Sequence, residues 1–283
     1  MKWKIRGHHL NGERTLLMGV LNVTPDSFSD GGRYLHPEQA IRHAIQLVAE
    51  GADILDLGGE STRPGASSVS ADQEKERILP VLRGLRGKIQ IPISIDTTKP
   101  EVARLALEEG ARIINDVSGL KDSGVGMAHV VRDFGAGLVL MHRRGNPETM
   151  QAMTDYRDVV AEVLREIEAS VKTAVDAGIS EEQLVVDPGL GFAKTAEQNL
   201  ELIRHLEKFQ TLGLPVLLGP SRKSFVGKVT ERPMGDREYG TAAIAAAAVF
   251  KGVSILRVHE VGAMRDAVRM AEAIRGEHHV RAL

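Results

Sequence analysis

The stretch IPISIDTTKPEVARLALEEGARIIN, from Ile91 to Asn115, decides how the rest of the chain is read. It opens on a run of strand length, Ile91–Ile95, and turns polar at Asp96, Thr97, Thr98 and Lys99. A helical segment follows, with capping-box spacing from Thr98 to Glu101 at its start. Gly110 stands after it, where a left-handed cap would sit, and a second strand-length run, Arg112–Asn115, comes next. Strand, helix and strand in so short a space make a β-α-β unit, whose strands run parallel.

The unit repeats in both directions. Strand candidates before it are Leu16–Leu21 and Asp53–Leu57; those after it are Gly137–Met141, Gln183–Val186, Pro215–Leu218 and Ser254–Val258. Most are apolar throughout, as strands of a parallel sheet buried on both faces are. Between them lie segments of helical period. Pro37–Glu50 carries Ala40, Ile41, Ala44, Ile45 and Val48 on one face. Ser70–Gln73 and Thr195–Gln198 repeat the capping-box spacing, and Gly51, Gly178 and Gly252 stand where helix would pass to strand. Eight such units in about 260 residues is the arithmetic of a (β/α)8 barrel, against which a doubly wound open sheet is the alternative. No linker, low-complexity run or shift of composition marks a boundary, so one domain spanning residues 1–283 is expected. Lys2–Ile5 and Arg14–Leu17 flank the turn dipeptide Asn11–Gly12, which predicts a small N-terminal hairpin covering the barrel floor.

Composition narrows the function. Thirty-six Lys and Arg against 38 Asp and Glu leave a net charge of -2, no basis for nucleic-acid or anionic-membrane binding. Aromatic residues are only 4%, too few for a base-stacking platform. The absence of cysteine excludes disulfides, thiolate metal sites and a cysteine nucleophile. No apolar run is long enough to span a membrane and the N-terminus lacks a secretory pattern, so a cytoplasmic location is expected. No dinucleotide, Walker or nucleophile-elbow motif occurs. His8, His9, His278 and His279 lack zinc spacing and read as surface residues.

What chemistry there is gathers at the strand ends. The first candidate strand is followed by Asn22, Thr24, Asp26 and Ser27, and the second holds Asp56 and runs into Glu60, Ser61, Thr62 and Arg63. The others end in Asp96, in Asn115 and Asp116, in His142, in Asp187, in Ser221, Arg222, Lys223 and Ser224, and in Arg257, His259 and Glu260. A barrel brings these together on its C-terminal face, where active sites form. Asp96, Asn115 and Asp187 suit the donor edge of an amino-substituted heterocycle, while Lys223, Arg222, Arg63, Arg257 and His259 suit a phosphate or carboxylate. Asp56 reads equally well as a structural residue inside the barrel, and Arg222 as half of an outer ion pair.

Seven of these segments, in order, resemble the dihydropteroate synthase family over nearly the whole chain. They are Met18-Gly-Val-Leu-Asn-Val-Thr-Pro-Asp-Ser-Phe-Ser-Asp-Gly-Gly32, Asp56-Leu-Gly-Gly-Glu-Ser-Thr-Arg-Pro-Gly65, Ser94-Ile-Asp-Thr97, Ile114-Asn-Asp-Val117, Asp187-Pro-Gly-Leu-Gly-Phe192, Ser221-Arg-Lys-Ser-Phe225 and Arg257-Val-His259. The resemblance implies a single TIM barrel, a homodimer and a Mg²⁺ requirement. It implies joining 4-aminobenzoate to (7,8-dihydropterin-6-yl)methyl diphosphate, with diphosphate released by a dissociative route. Asp96, Asn115, Asp187 and Lys223 match the family's pterin positions. Arg257 and His259 match its diphosphate site, and Asn22 its metal contact. Ser221 matches a contact to the aminobenzoate carboxylate, with Thr62 and Arg63 in the loop closing over that substrate and Phe192 and Pro64 as candidate linings. Arg257, His259, Lys223 and Asp96 are thus the expected catalytic set. The family is the target of sulfonamides, which resemble aminobenzoate, so sensitivity is expected too. The Ala-rich stretch Thr241–Val249 lies where the resemblance puts the dimer interface. Arg143 departs from the family pattern and reads as a solvated charge. Two rivals share the pterin residues: a methyltransferase barrel serving a corrinoid protein, and a non-catalytic pterin-binding protein. The first needs neither Ser-Thr-Arg-Pro-Gly nor Ser-Arg-Lys-Ser, and the second has no use for Asn22, Arg257 and His259.

Overall fold

In the computed structural model of the chain, residues 1–24 and 37–276 are described. Strands β1 (Lys2–Ile5) and β2 (His8–Asn11) form an antiparallel hairpin. Eight parallel strands follow: β3 (Leu16–Asn22), β4 (Ile54–Gly58), β5 (Ile93–Asp96), β6 (Ile113–Asp116), β7 (Gly137–Met141), β8 (Leu184–Asp187), β9 (Leu217–Leu218) and β10 (Ile255–Val258). They lie in the order β8-β7-β6-β5-β4-β3-β10-β9. A parallel bridge from Val186 to Val216 joins the two ends, so the sheet closes into a barrel. Helices α1 (Pro37–Ala49), α2 (Ala71–Leu85), α3 (Pro100–Glu108), α4 (Gly124–Phe134), α5 (Val159–Asp176) and α6 (Ala196–Arg204) each follow a strand. Two helices, α7 (Ser224–Thr230) and α8 (Glu238–Phe250), follow β9, and α9 (Val261–Arg275) follows β10.

Period-two alternation divides each strand between two cores. Outward residues such as Leu17, Leu55, Ile95, Leu138, Val186 and Leu256 pack beneath the helices. Inward residues Met18, Ile54, Ile113, Val139, Val185, Leu217 and Ile255 fill the lower barrel together with Trp3 and Ile5 of the hairpin. The hairpin is therefore the floor. Trp3 is fully buried and its Nε1 donates to the Gln183 carbonyl at 2.8 Å. A Cβ at Gly137 would lie 2.8 Å from Ile5 Cγ2 and 3.0 Å from Trp3 Cζ2, so β7 needs glycine where the floor presses against it. One layer above the floor the inward positions turn polar: Ile54 gives way to Asp56, Ile113 to Asn115, Val185 to Asp187 and Ile255 to Arg257.

Three local expectations are corrected. The hairpin turns at Arg6–Gly7, with Ile5 opposite His8, rather than at Asn11–Gly12. Gly7 supplies the left-handed backbone, and Leu16 belongs to the barrel. Thr98 does not cap α3: Lys99 holds the N-cap position in extended backbone and Pro100 starts the helix, since a residue before proline avoids helical geometry. Asp116 and His142 point out of the barrel; Asp116 accepts from Ser118 and Ser123 in its own turn, and His142 reaches Glu166 on α5. The capping boxes at Ser70 and Thr195 form as expected, and Gly51, Gly110, Gly178 and Gly252 all take positive φ.

Candidate active site

A cavity of about 380 Å³ opens at the C-terminal ends of the strands. Asn22, Thr62, Arg63, Asp96, Asn115, Asp187, Ser221, Lys223, Arg257 and His259 all line it, so the ten residues that the resemblance matched to catalysis, substrate or metal are brought to one place. Asp26 and Ser27, and likewise His278 and His279, fall outside the described residues.

One end of the cavity is rich in acceptors. Asp96, Asn115 and Asp187 are nearly inaccessible, on inward positions of β5, β6 and β8. Burial pushes both carboxyls above the ordinary range; Arg257 opposes the shift at Asp96, and the Gly189 N–H opposes it at Asp187. That N–H donates to Asp187 Oδ1 at 2.7 Å. Gly189 takes φ +70, and a Cβ there would lie 2.0 Å from the His142 carbonyl oxygen. Lys223 Nζ lies 4.1 Å from the centre of the Phe192 ring. Burial, with Arg257 nearby, lowers that ammonium to about 8. Together these groups can hold a flat ring carrying N–H donors on one edge and acceptors on another.

The other end is cationic. Arg257 donates from Nε to Asp56 Oδ2 at 2.6 Å and from Nη2 to Asp96 Oδ2 at 2.9 Å. His259 Nδ1 pairs with Ser221 Oγ at 2.9 Å. Burial, with Arg222 and Arg257 around it, lowers His259 to about 3, so its imidazole is neutral and offers hydrogen bonds rather than charge. Arg222 pairs outward with Glu260, as its second reading expected. The carbonyls of Arg222 and Lys223 are both braced by Arg237 Nη1, at 3.1 and 3.3 Å.

Thr62, Arg63 and Pro64 sit on the loop after β4, whose base is pinned. Glu60 accepts from the Val69 N–H at 3.0 Å and pairs with Lys99, which also reaches Glu74 at 2.7 Å. At the loop's tip the Gly65 N–H donates to the Pro147 carbonyl at 2.9 Å.

Several residues at the site went unassigned or misread. Asp56 is wholly buried inside the barrel, as its structural reading expected, and there it holds both Arg257 and Asn115. Its inward place in an otherwise apolar strand was the signal. Lys194 is buried behind Phe192, donating to the carbonyls of Gly189 and Phe192 at 3.0 and 2.8 Å and pairing with His142 Nδ1 at 2.9 Å. Burial lowers it to about 7. Arg143 is not solvated: it is 3% exposed and paired with Asp122. Among the described residues no cluster of three His, Cys, Asp or Glu could hold a metal. Asn22 Oδ1 and Asp96 Oδ2 face the Cβ-free side of Gly58, 3.6 and 3.8 Å from where a Cβ would stand.

Comparison with known proteins places this geometry. A family model described as pterin binding enzyme matches residues 18–259. The dihydropteroate synthase of Synechocystis sp. is 48% identical over 93% of this chain and 91% of its own. A Xanthomonas albilineans dihydropteroate synthase solved with 4-aminobenzoic acid is 41% identical and superposes with TM-score 0.90, covering 97% of this chain and 99% of that one. The enzyme of the same organism in complex with 7,8-dihydropteroate gives TM-score 0.88 at 39% identity, with the same coverage of 97% and 99%.

Proposed function

This chain belongs to the pterin binding enzymes, among the dihydropteroate synthases, and from that premise we propose how its residues divide the work. It is a transferase that joins 4-aminobenzoate to (7,8-dihydropterin-6-yl)methyl diphosphate, giving 7,8-dihydropteroate and diphosphate. Asp96, Asn115 and Asp187 accept from the N–H donors of the pterin ring, and Lys223 donates to its acceptors across the face of Phe192. Arg257 and His259 bind the diphosphate. Ser221 and the Thr62–Pro64 loop receive the carboxylate and ring of 4-aminobenzoate.

The route is dissociative. The bond from the methylene carbon to the diphosphate oxygen breaks with its electron pair leaving on oxygen, where Arg257 and the His259 N–H meet the growing charge. The electron-rich ring, beside two buried carboxylates, carries the cation left behind. The aryl amine, neutral at pH 7, then attacks the methylene and loses a proton to solvent. Positioning and leaving-group electrostatics therefore supply most of the acceleration, and no general base is assigned.

A magnesium ion fits this site only if the substrate brings most of its ligands. Asn22 offers one hard oxygen near Asp96, which suits an ion that keeps its waters and binds phosphate oxygens. When bound, it would add positive charge to the leaving diphosphate. We assign Asn22 as its contact.

The chain is read as one barrel domain acting in the cytoplasm as a homodimer; among the described residues no helix is long and apolar enough to cross a membrane. Tyr239 and Phe250 of α8 and Met270 and Ile274 of α9 are 89, 50, 64 and 68% exposed, large apolar side chains on two helices that pack against each other, which supports pairing there. Sulfonamides would compete for the aminobenzoate end of the cavity.

The observation that carries this division is Arg257, which spans from the anion end to Asp96 at the ring end. Binding of pterin and of the dihydropterin diphosphate to Asp187→Asn and Arg257→Ala tests it. Asp187→Asn should weaken both ligands alike, while Arg257→Ala should weaken the diphosphate-bearing one far more. Equal losses in both variants would refute the division.

A further inference from the structure

We propose that Asp56 fixes which end of the Asn115 amide meets the ligand, so that this pair makes the site read an amino-substituted ring edge and reject its oxo counterpart. The inference deepens the proposed function and rests on its assignment of the ring end. Asp56 faces inward from β4 and is fully buried. Its Oδ2 accepts from Arg257 Nε at 2.6 Å and from Asn115 Nδ2 at 3.1 Å. Its Oδ1 is buried without a hydrogen-bond partner. The carboxylate neutralises the Arg257 guanidinium, and removing it alone would leave that charge short of a partner, yet this pairing occupies only Oδ2 and does not by itself account for the contact to Asn115.

What the carboxylate does supply is direction. An asparagine amide can turn over, exchanging its acceptor for its donor at nearly the same volume. An Asp56 oxygen that already accepts from a guanidinium offers Asn115 only an acceptor, so the NH₂ group must face it. The Asn115 carbonyl oxygen then lies on the other branch of the fork, and the side chain lines the cavity. Arg257 holds the carboxylate in place, which makes the orientation a property of three strands, β4, β6 and β10. A pterin carries an amine at position 2 beside a bare ring nitrogen. Its 2,4-dioxo analogue, lumazine, carries an oxygen beside an N–H, the reverse order. An amide locked one way accepts the first order and opposes the second, whereas a free amide turns over to suit either.

The test is the ratio of dissociation constants for lumazine and pterin, by titration calorimetry, in the parent, Asp56→Leu, Asp56→Asn and Asn115→Leu. The parent prefers pterin. Asp56→Leu and Asn115→Leu should each narrow that preference about tenfold, the loss of one oriented hydrogen bond, with Asp187 and Asp96 keeping the rest. Asp56→Asn retains an oxygen where Oδ2 stands and should keep the ratio within about threefold of the parent, the scatter expected of one neutral hydrogen bond. General loosening would weaken both ligands together and leave the ratio alone, so an unchanged ratio in folded Asp56→Leu or in Asn115→Leu overturns the proposal. A second measurement needs no variant at position 56. In asparagine-labelled parent protein the Asn115 side-chain N–H facing Asp56 should resist solvent exchange with the cavity empty, and exchange at the rate of a free amide would overturn the proposal too. Should the parent bind neither ring, it is the proposed function that fails.

Discussion

Arg257 and Asp96 meet at 2.9 Å, guanidinium Nη2 to carboxylate Oδ2, and that contact ties the cationic end of the cavity to the ring-binding end. On the proposed division of the site, the group assigned to the leaving diphosphate is thereby held in register with a carboxylate assigned to the ring.

Replacing Arg257 should therefore damage turnover more than binding of the bare ring. Arg257→Ala is expected to lower kcat by roughly a hundred- to a thousandfold, the range for losing one preorganised charge-stabilising donor. Arg257→Lys should recover little, because an ammonium cannot bridge Asp56 and Asp96 while facing an anion. Steady-state kinetics with both substrates varied would check this; a loss of under about twofold, or about 0.4 kcal/mol of barrier, would be incompatible with the role assigned.

Lys223 should set an alkaline limit. Its ammonium is lowered to about 8 by burial and by Arg257, so the charged form is present below that pH and disappears as pH rises through it. The value of kcat/KM for the dihydropterin diphosphate should fall on that limb. On the acid side, Asp96 and Asp187 titrate above the ordinary carboxylate range, so activity should also fall as pH drops toward neutrality and below. Lys223→Met should be weaker throughout and lack the alkaline limb near 8; a parent profile flat to pH 10 would contradict this.

The floor should matter to stability and not to chemistry. Gly137→Ala places a methyl 2.8 Å from Ile5 Cγ2, with the Trp3 ring just beyond, and is expected to cost about 1–3 kcal/mol in denaturant unfolding. The kcat of the folded fraction should stay at the parent value.

The exposed apolar side chains of α8 and α9 should form an interface. Ile274→Arg paired with Met270→Glu is expected to convert a dimer to monomer in sedimentation, with the fold unchanged by circular dichroism. A parent sedimenting as a monomer at every concentration would remove the proposal.

Much of this was legible because a parallel barrel writes itself plainly. Strands buried on both faces leave apolar runs, and each of the eight fell within one or two residues of its expected place. Glycines after helices were readable because only their left-handed backbone fits there, as at Gly51 and Gly252. What escaped depended on partners distant in sequence. The place of the Arg6–Gly7 turn follows from Trp3 and Ile5 both needing the barrel floor, which overrides the local appeal of Asn11–Gly12. Arg143 reads as a surface charge until Asp122 is seen beside it. Asp56 looks like a core oddity until Arg257 arrives from 201 residues away. The ends of the strands told where the chemistry is, and the contacts between them told how it is oriented.

The most direct test is diphosphate release on mixing the protein with the dihydropterin diphosphate and Mg²⁺, with and without 4-aminobenzoate. The account predicts release that depends on 4-aminobenzoate and is matched mole for mole by 7,8-dihydropteroate. Tight pterin binding with no release under either condition would contradict it.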